Sequence, residues 1–179
     1  MMDVIVAVDE AGGIGKSGTI PWNIRKDLAR FMEKTTHVVD CSKRNAVVMG
    51  RKCWESLPIK FRPLKGRLNV VVSRGMEEAR NADLMVRNDL DSALNELAQM
   101  MDEGKIEKVW NIGGSEIYTW ALQKNLVQSI ELTRVHANFD ADVKMPEIQW
   151  EDYNESAKGD QLEENGLKFS FHTFDKVSS

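Results

Sequence analysis

Apolar residues follow two alternating patterns along the chain. Short, nearly continuous apolar runs between polar or glycine-rich segments are typical of buried strands. They predict strands at Asp3–Val8, Asn45–Met49, Leu68–Ser73, Leu84–Arg87 and Lys108–Ile112. Apolar residues spaced three and four apart predict helices at Ile24–Lys34, Leu90–Glu103 and Glu116–Lys124. Two later strands are predicted at Ser129–Ala137 and Leu167–Asp175, the second with a two-residue alternation.

This order of elements predicts one α/β domain over residues 1–179. Strands that are apolar throughout fit a parallel sheet covered on both faces, and parallel neighbours need crossover connections, which are usually helical and right-handed. Two consecutive strands near the end of the chain indicate an antiparallel edge. We therefore expect a mainly parallel central sheet with an antiparallel C-terminal strand and helices on both faces.

Composition and charge narrow the class of protein. The formal net charge of −4 disfavours non-specific binding to nucleic acid, which depends on many basic contacts to phosphates. No apolar run approaches the roughly 18–20 residues of a membrane helix, and the first residues lack the basic region of a secretory leader. Two cysteines, Cys41 and Cys53, and three scattered histidines predict neither a disulfide framework nor a metal site. We expect a cytoplasmic protein that needs neither a membrane nor nucleic acid.

Asp27 lies on or beside the apolar stripe of the first predicted helix, three residues after Ile24 and four before Phe31. A carboxylate there is costly unless it has a partner. Burial would raise its pKa and make it a candidate acid or an acceptor for a cationic ligand. Alternatively, Asp27 is a first-turn acid that complements the helix dipole, with Asn23 as the cap. Taken alone, Asp27 favours this second interpretation.

Gly113, Gly114 and Ser115 join the strand Lys108–Ile112 to the next helix. Glycines let the backbone approach a phosphate, and a helix N-terminus offers free N–H groups. The segment is neither a GxGxxG motif nor a P-loop, and a plain strand-to-helix turn would use the same glycines. Its position at the carboxyl end of a strand favours a phosphate site.

Cations stand at the ends of three predicted strands: Arg51 and Lys52, then Arg74, then Arg87. The ends of parallel strands share one edge of a sheet, so these cations in an acidic protein indicate a phosphate-rich ligand. Solvated surface charge is the alternative. The glycine-rich loop Asp9–Trp22 suits a mobile lid, although an ordinary surface connection would also fit.

Taken in order, these segments resemble the dihydrofolate reductase family along nearly the whole chain. The segments that match are Ile5–Val8, Gly13–Gly15, Ile20–Trp22, Asp27, Val48–Ser56, Arg62–Arg67, Val72–Arg74, Ile112–Tyr118 and Thr133. Two positions depart from the family pattern. Cys53 stands where the family usually has threonine, and Phe61 stands where many relatives are polar.

The resemblance implies an enzyme of one-carbon metabolism that uses NADPH to reduce dihydrofolate to tetrahydrofolate and that antifolates inhibit. Asp27 would bind the pteridine and help protonate its N5, while Trp22 and Thr133 would order the surrounding polar network; these are the implied catalytic residues. Arg67 would pair with the glutamate α-carboxylate. The other implied folate contacts are Ile5, Val6, Leu28, Phe31, Leu57, Leu64 and Ile112.

The resemblance also implies the NADPH site, no metal, and a monomer. Arg51, Ser73, Arg74 and Arg87 would surround the adenosine 2′-phosphate. The backbone of Gly114, Ser115 and Glu116 would face the pyrophosphate. Residues near the nicotinamide and along the rest of the cofactor would be Ala7, Ile14, Gly15, Gly18, Ile20, Lys52, Cys53, Ile112, Gly113, Ile117 and Tyr118.

Three other interpretations remain at this point. The reductase domain of riboflavin biosynthesis shares the fold and the use of NADPH, but would not need Asp27 or Arg67. A noncatalytic nucleotide-binding module would bind NADPH without turnover. An interaction or structural domain would have no saturable ligand.

Replacing Arg74 by alanine tests the assignment of the 2′-phosphate site. A charge-assisted hydrogen bond contributes about 1.5–3 kcal/mol, so the variant should bind NADPH roughly tenfold or more weakly. NADH lacks the 2′-phosphate and should be affected little. Dissociation constants for both cofactors, measured by fluorescence titration, check this prediction. An equal loss for NADPH and NADH would mean that Arg74 supports the structure instead.

Overall fold

The computed structural model describes residues 1–178, and its helices are the three predicted from apolar spacing and one further short helix between the first two. They are α1 (Arg25–Thr36), α2 (Arg51–Ser56), α3 (Leu90–Asp102) and α4 (Ser115–Gln123), with short 3-10 turns at Ile59–Phe61 and Trp150–Asp152. None of the helices within residues 1–178 is long and apolar enough to cross a membrane.

The strands are more numerous than the apolar runs. They are β1 (Met2–Val8), β2 (Gly13–Gly15), β3 (Arg44–Gly50), β4 (Arg67–Val72), β5 (Ala79–Arg80), β6 (Leu84–Arg87), β7 (Ile106–Asn111), β8 (Val127–Val135), β9 (Val143–Lys144), β10 (Tyr153–Lys158), β11 (Leu162–Glu164) and β12 (Leu167–Lys176). The predicted strands and helices are all present, with ends that differ from the predicted ones by at most two residues. The additional strands are short or polar and have no apolar periodicity.

One large sheet forms the centre of the molecule, in the order β10-β12-β8-β1-β7-β3-β4-β6-β5. The pairings from β8 to β6 are parallel, whereas β12 runs antiparallel to β8 and β5 antiparallel to β6. At the far edge, β10 and β11 both pair antiparallel with β12. The predicted α/β fold, mainly parallel with an antiparallel C-terminal strand, is confirmed.

Alternate residues of the inner strands point to opposite faces of the sheet. Val4, Val6 and Val8 of β1 pack into one core cluster together with residues of α3 and α4. Ile5 packs into a second cluster that Phe31 of α1 joins. The sheet therefore has an α3/α4 face and an α1 face, and this alternation decides which residues can line a common site.

The N-terminus of α1 differs from the prediction that Asn23 caps it. Ile24 occupies the cap position and makes no side-chain cap. The backbone N–H groups of Arg25 and Lys26 instead donate to the carboxylate of Glu164, over 2.6 and 3.1 Å. The prediction for Asn23 is wrong because a carboxylate distant in sequence satisfies these free N–H groups and complements the helix dipole.

Candidate active site

Asp27 and Thr133 meet between α1 and the strand β8. The Thr133 hydroxyl donates to Oδ1 of Asp27 over 2.6 Å, and Thr133 is buried while Asp27 is half-buried. Burial raises the pKa of Asp27, against the opposing effects of the Thr133 hydrogen bond and the charge of Arg30. Asp27 does lie in the first turn of α1, as the alternative interpretation expects, but its partial burial also makes it an acid that can exchange a proton or accept hydrogen bonds from a ligand.

A stripe of three residues on α1 leads from this acid to a buried cation. Asp27, Phe31 and Thr35 follow one another at four-residue intervals, so they share one helix face. The Thr35 hydroxyl donates to the carbonyl of Phe31 over 2.7 Å and accepts from the Arg67 guanidinium over 3.0 Å. At about 1.5 Å per residue, the stripe is about 12 Å long.

Arg67 is a buried guanidinium whose partners are neutral. Besides Thr35, it donates through Nε to the carbonyl of Lys65 over 2.9 Å. Within residues 1–178, no carboxylate lies within 4.0 Å of it. Burial lowers the pKa of Arg67. An unneutralised buried cation is costly, so this position is suited to an anionic ligand.

Apolar side chains cover the sheet between the two polar ends. Ile5, Phe31, Leu57, Leu64 and Ile112 all belong to the cluster on the α1 face. Leu28 is 58% exposed and lies one residue after Asp27. The structure thus brings together most of the predicted folate contacts.

Val6 and Trp22 lie elsewhere. The side chain of Val6 packs on the α3/α4 face, so Val6 can offer only its backbone to a ligand beside Ile5. Trp22 is buried in a separate cluster with Ile24, Val135 and Phe169, with its ring centroid 5.4 Å from that of Phe139. Its predicted part in the network around Asp27 stays a prediction.

A set of charged residues that sequence reasoning missed holds α1 in place. Glu131 on β8 accepts from Arg30 over 2.5 Å and from the Thr173 hydroxyl over 2.8 Å, and Lys34 lies 3.6 Å from it. The Arg30 guanidinium also lies over the ring of Phe171, 4.5 Å from the centroid. Glu131 stands two residues before Thr133 on the same strand face, so it fixes α1 beside the residue that contacts Asp27.

The turn Gly113–Gly114 connects β7 to α4. Gly113 has a φ of +99°, and a Cβ there would lie 2.8 Å from the Tyr118 ring. Within residues 1–178, a Cβ built at Gly114 would meet no heavy atom within 4 Å, and no side chain caps the first N–H groups of α4. The turn therefore presents open backbone and a free helix N-terminus, which fit a pyrophosphate.

Two residues that follow this turn anchor it to the strands β1 and β9. Tyr118 is buried and donates its hydroxyl to the carbonyl of Ile5 over 2.9 Å, and burial raises the pKa of Tyr118 well above its usual value. The Ser115 hydroxyl donates to the carbonyl of Lys144 over 3.2 Å. Ile117 is buried and Glu116 is exposed, so only part of the predicted set faces open space.

Asn111 is a second residue that sequence reasoning missed. It is fully buried, accepts from the Gly113 N–H over 3.0 Å, and donates to the carbonyl of Ile117 over 3.1 Å. It therefore joins the end of β7 to the first turn of α4 across the glycine pair. The signal was present, because Asn111 is the one amide within the apolar run Val109–Ile112.

Cys53 lies beneath the same turn. Its thiol donates to the carbonyl of Ile112 over 3.6 Å, and burial raises the pKa of Cys53 to about 12. The thiol is therefore neutral at physiological pH and serves as a small packing group with a weak hydrogen bond.

The predicted 2′-phosphate residues do not all remain available. Arg87 donates to both carboxylate oxygens of Glu96, over 2.5 and 2.9 Å, and this hydrogen bonding raises the pKa of Arg87. The Arg51 Nε donates to Glu55 over 2.7 Å, but both residues are about half-exposed. Ser73, Arg74 and Lys52 lie at the same strand ends, and Arg74 and Lys52 are exposed. Arg87 is thus already paired, whereas Arg74 is the freest candidate.

The loop Asp9–Trp22 has more structure than its glycines suggest. Its strand β2 pairs with β9 through Gly13 and Gly15, and Ile14 packs against the α3/α4 core. Asp9 is buried, which by itself raises its pKa, but N–H groups of Gly13, Phe139 and Ala11 donate to it and lower the pKa overall. Beyond this anchored part, Gly18 has a φ of +79° in a tight turn, and Ile20 is 55% exposed.

Comparisons with known proteins agree with this geometry. The family model described as dihydrofolate reductase matches residues 1–176. A Caenorhabditis elegans protein with the provisional name of dihydrofolate reductase is 49% identical over 178 residues, which cover 95% of this chain and 94% of that protein. The dihydrofolate reductase of Sus scrofa is 36% identical and covered to 97%, with 98% of this chain aligned.

A bifunctional relative is similar over part of its length only. The bifunctional dihydrofolate reductase-thymidylate synthase 2 of Arabidopsis thaliana is 43% identical over 178 residues, or 98% of this chain. The chain spans 32% of that protein.

Replacing Asn111 by leucine should loosen the glycine turn. The Gly113 N–H and the Ile117 carbonyl would lose their buried partner, which costs about 1–3 kcal/mol for each group. We expect the free energy of unfolding to fall by about 2–6 kcal/mol and the dissociation constant for NADPH to rise. Urea denaturation and fluorescence titration measure the two effects.

Asn45→Leu is the matched control for this experiment. Asn45 is equally buried, but its amide contacts the carbonyls of Thr35 and His37 instead of the glycine turn. It should lose stability with little change in NADPH affinity. If both variants lost NADPH affinity equally, Asn111 would have only a general structural role.

Proposed function

The chain belongs to the dihydrofolate reductase family, and we propose that it reduces 7,8-dihydrofolate to 5,6,7,8-tetrahydrofolate with NADPH. The observation that supports this most directly is the α1 stripe with an acid at one end and an unneutralised guanidinium at the other. Folate has matching chemistry, with a basic pteridine at one end and a carboxylate-bearing glutamate at the other. The reductase reaction supports one-carbon metabolism and the synthesis of thymidylate and purines.

Asp27 acts on the pteridine. Its carboxylate accepts hydrogen bonds from the 2-amino group and N3, and it assists the protonation of N5. The raised pKa of Asp27 makes the protonated form more accessible near neutral pH, and Thr133 holds Oδ1 so that the other carboxylate oxygen, Oδ2, is left to face the substrate.

Arg67 and the apolar cluster position the rest of the substrate. Arg67 donates to the glutamate α-carboxylate, which neutralises its buried charge. Phe31, Leu57 and Leu64 pack against the pteridine and the aminobenzoyl ring and exclude water. Holding the reacting carbon in one orientation in a dry site lowers the barrier without any covalent step by the protein.

When bound, NADPH would supply a hydride for C6 of the pteridine. The free backbone at Gly114 and the N-terminus of α4 bind its pyrophosphate. Arg74 and Arg51 bind the 2′-phosphate at the neighbouring strand ends. Ala7, Ile14 and Ile112 flank the nicotinamide. A riboflavin-type reductase would not need the α1 stripe or Arg67, so the riboflavin-type interpretation explains less of the site than the dihydrofolate reductase interpretation does.

The Asp27→Asn variant tests the proton-delivery role. General-acid assistance contributes about 10²–10⁴-fold, so NADPH oxidation with dihydrofolate should slow by at least about 10²-fold at neutral pH. The deficit should shrink at low pH, because solvent then protonates the substrate directly. The loss of NADPH absorbance as a function of pH measures both effects.

Two controls separate chemistry from folding. Glu33→Gln removes an exposed acid from the same helix and should leave the rate unchanged. Because the pKa of Asp27 is raised, the folded state binds this proton more tightly than the unfolded state does. The stability of the folded state therefore falls as the pH rises from the ordinary pKa of an aspartate through the raised pKa of Asp27. Asp27→Asn should therefore be no less stable than the parent at neutral pH. A folded parent that binds NADPH but does not oxidise it with dihydrofolate would contradict the proposed reaction.

We also propose that the protein works as a monomer in the cytoplasm. Four of its exposed apolar side chains, Leu28, Met32, Ile59 and Phe61, lie on α1 or in the segment between α2 and β4, beside the folate cluster, where substrate binding explains them. Others, such as Val39 and Trp150, lie in separate segments of the chain and are ordinary for a monomer's surface. The reduced state of Cys41 and Cys53 suits a reducing compartment.

The oligomeric state has a direct test. Sedimentation velocity over a wide concentration range should give a single species near 20.3 kDa. A concentration-dependent shift towards twice this mass would overturn the monomer proposal and leave the reductase proposal untouched.

A further inference from the structure

A second cavity lies at the antiparallel edge of the sheet, on the α3/α4 face and away from the Asp27 stripe. Its volume is about 370 Å³, within the range of small-molecule sites. It is lined by Arg134, His136, Glu155, Lys158, Gly159, Gln161, Ser170 and His172. Neither the folate nor the NADPH residues take part in it.

The register of three strands brings two cations to this cavity. Arg134 of β8 pairs directly with Ser170 of β12, and Lys158 of β10 pairs directly with His172. Directly paired residues share one face of a sheet. Both exposed cations therefore flank the two buried residues that form the floor.

An irregularity in β10 adds Glu155 to the same face. The register shifts between Glu155 and Ala157, so Glu155 and Lys158 point the same way although they are three positions apart, a spacing that places side chains on opposite faces of a regular strand. Such bulges redirect side chains and are recurrent at sheet edges near functional sites. Without this shift, either the carboxylate or the cation would leave the cavity.

A continuous line of hydrogen bonds connects the residues on the floor of the cavity. Glu155 lies 2.6 Å from Nδ1 of His172, the His172 Nε2 lies 2.7 Å from the Ser170 hydroxyl, and this hydroxyl lies 3.1 Å from Nε2 of His136. Because a carboxylate only accepts, Nδ1 of His172 carries a hydrogen and donates it. With His172 in the tautomer that has no hydrogen on Nε2, the Ser170 hydroxyl donates to it and accepts from His136, so each of the three links has one donor and one acceptor.

The cations above this floor are not neutralised. Within residues 1–178, neither Arg134 nor Lys158 has a carboxylate within 4.0 Å, and Glu155 is already engaged by His172. Arg134 lies 5.9 Å from the Trp150 ring centroid, where only its flat face is engaged. Counting the Glu155 carboxylate, the two cations still leave these three groups with one net positive charge. In a chain with a net charge of −4, this creates a local field that attracts anions.

We propose that this cavity binds a small organic anion with a phosphate or carboxylate head group. The guanidinium of Arg134 and the amine of Lys158 neutralise the head group, and the Gln161 amide adds a neutral donor at the wall. The cavity is larger than a bare phosphate needs, so the remainder accommodates the organic part. His136 and His172 lie beneath the ligand, so ligand binding should change the chemical shifts of their ring protons.

Nuclear magnetic resonance of the histidine Cε1–H signals tests the proposal. The chain has three histidines, and His37, at the end of α1, lies outside the cavity and serves as an internal control. The protein is saturated with NADPH and titrated with phenyl phosphate at fixed pH and ionic strength. We expect the Cε1–H signals of His136 and His172 to shift in a saturable way, while the signal of His37 does not shift.

Variants of exposed residues make the test specific. Arg134→Gln and Lys158→Gln should each weaken phenyl phosphate binding by about tenfold, the loss of one charge-assisted hydrogen bond. Lys168→Gln removes the same charge from an exposed position on β12 that does not line the cavity, and should change the dissociation constant by less than about twofold. All three positions are exposed, so folding should be preserved.

Benzoate distinguishes the two head groups. Tighter binding of phenyl phosphate than of benzoate would assign a phosphate ligand, and the reverse order a carboxylate ligand. Shifts that do not saturate with either probe, or equal dissociation constants in the parent and in Arg134→Gln, would overturn the proposed site.

Discussion

The short hydrogen bond between Thr133 and Asp27 is the interaction on which the rest of the site depends. It joins α1 to β8 and holds a half-buried carboxylate whose pKa burial raises. A half-buried acid would otherwise swing to solvent. The contacts of Glu131 with Arg30 and of Glu164 with the start of α1 prevent this by fixing the helix at two further places. The raised pKa of Asp27 is thus a consequence of how firmly α1 is docked.

The alternation of side chains along β8 and β12 lets one pair of strands serve two faces. Thr133 faces Asp27, and the next residue, Arg134, faces the second cavity. On β12, Phe171 lies beneath Arg30 and its neighbours Ser170 and His172 form the cavity floor. A one-residue slip in this pairing would exchange the two sets of side chains. The β8–β12 register therefore positions the catalytic acid and the proposed anion site together.

The inner sheet could be predicted from the sequence because its strands are apolar throughout. β6 was predicted to the residue, and the glycine turn at Gly113 was located because a strand and a helix flank it. The edge could not be predicted in the same way. β10 reads Tyr-Asn-Glu-Ser-Ala-Lys, which has no apolar period, and its bulge depends on pairing with β12. Glu164 is likewise invisible as a helix cap, because nothing in the local sequence connects it with Arg25.

Side chains at the site could be predicted where the residue type and its local sequence pattern indicate a role. They were missed where the role depends on a contact that forms only when distant segments pack together. An acid on an apolar stripe signals itself, whereas the pairing of Arg87 with Glu96 becomes apparent only once α3 packs beside β6. The cations without a carboxylate partner likewise become apparent only once the structure shows which cations are paired. Arg67 is buried without a carboxylate although the chain has an excess of acidic residues, and such a departure from ordinary pairing costs stability. A protein keeps such an arrangement where a ligand supplies the missing charge, and this argument applies to Arg67 at the folate end of α1. Arg134 and Lys158 at the sheet edge are exposed to solvent, so the argument for their ligand depends instead on their convergence at one cavity.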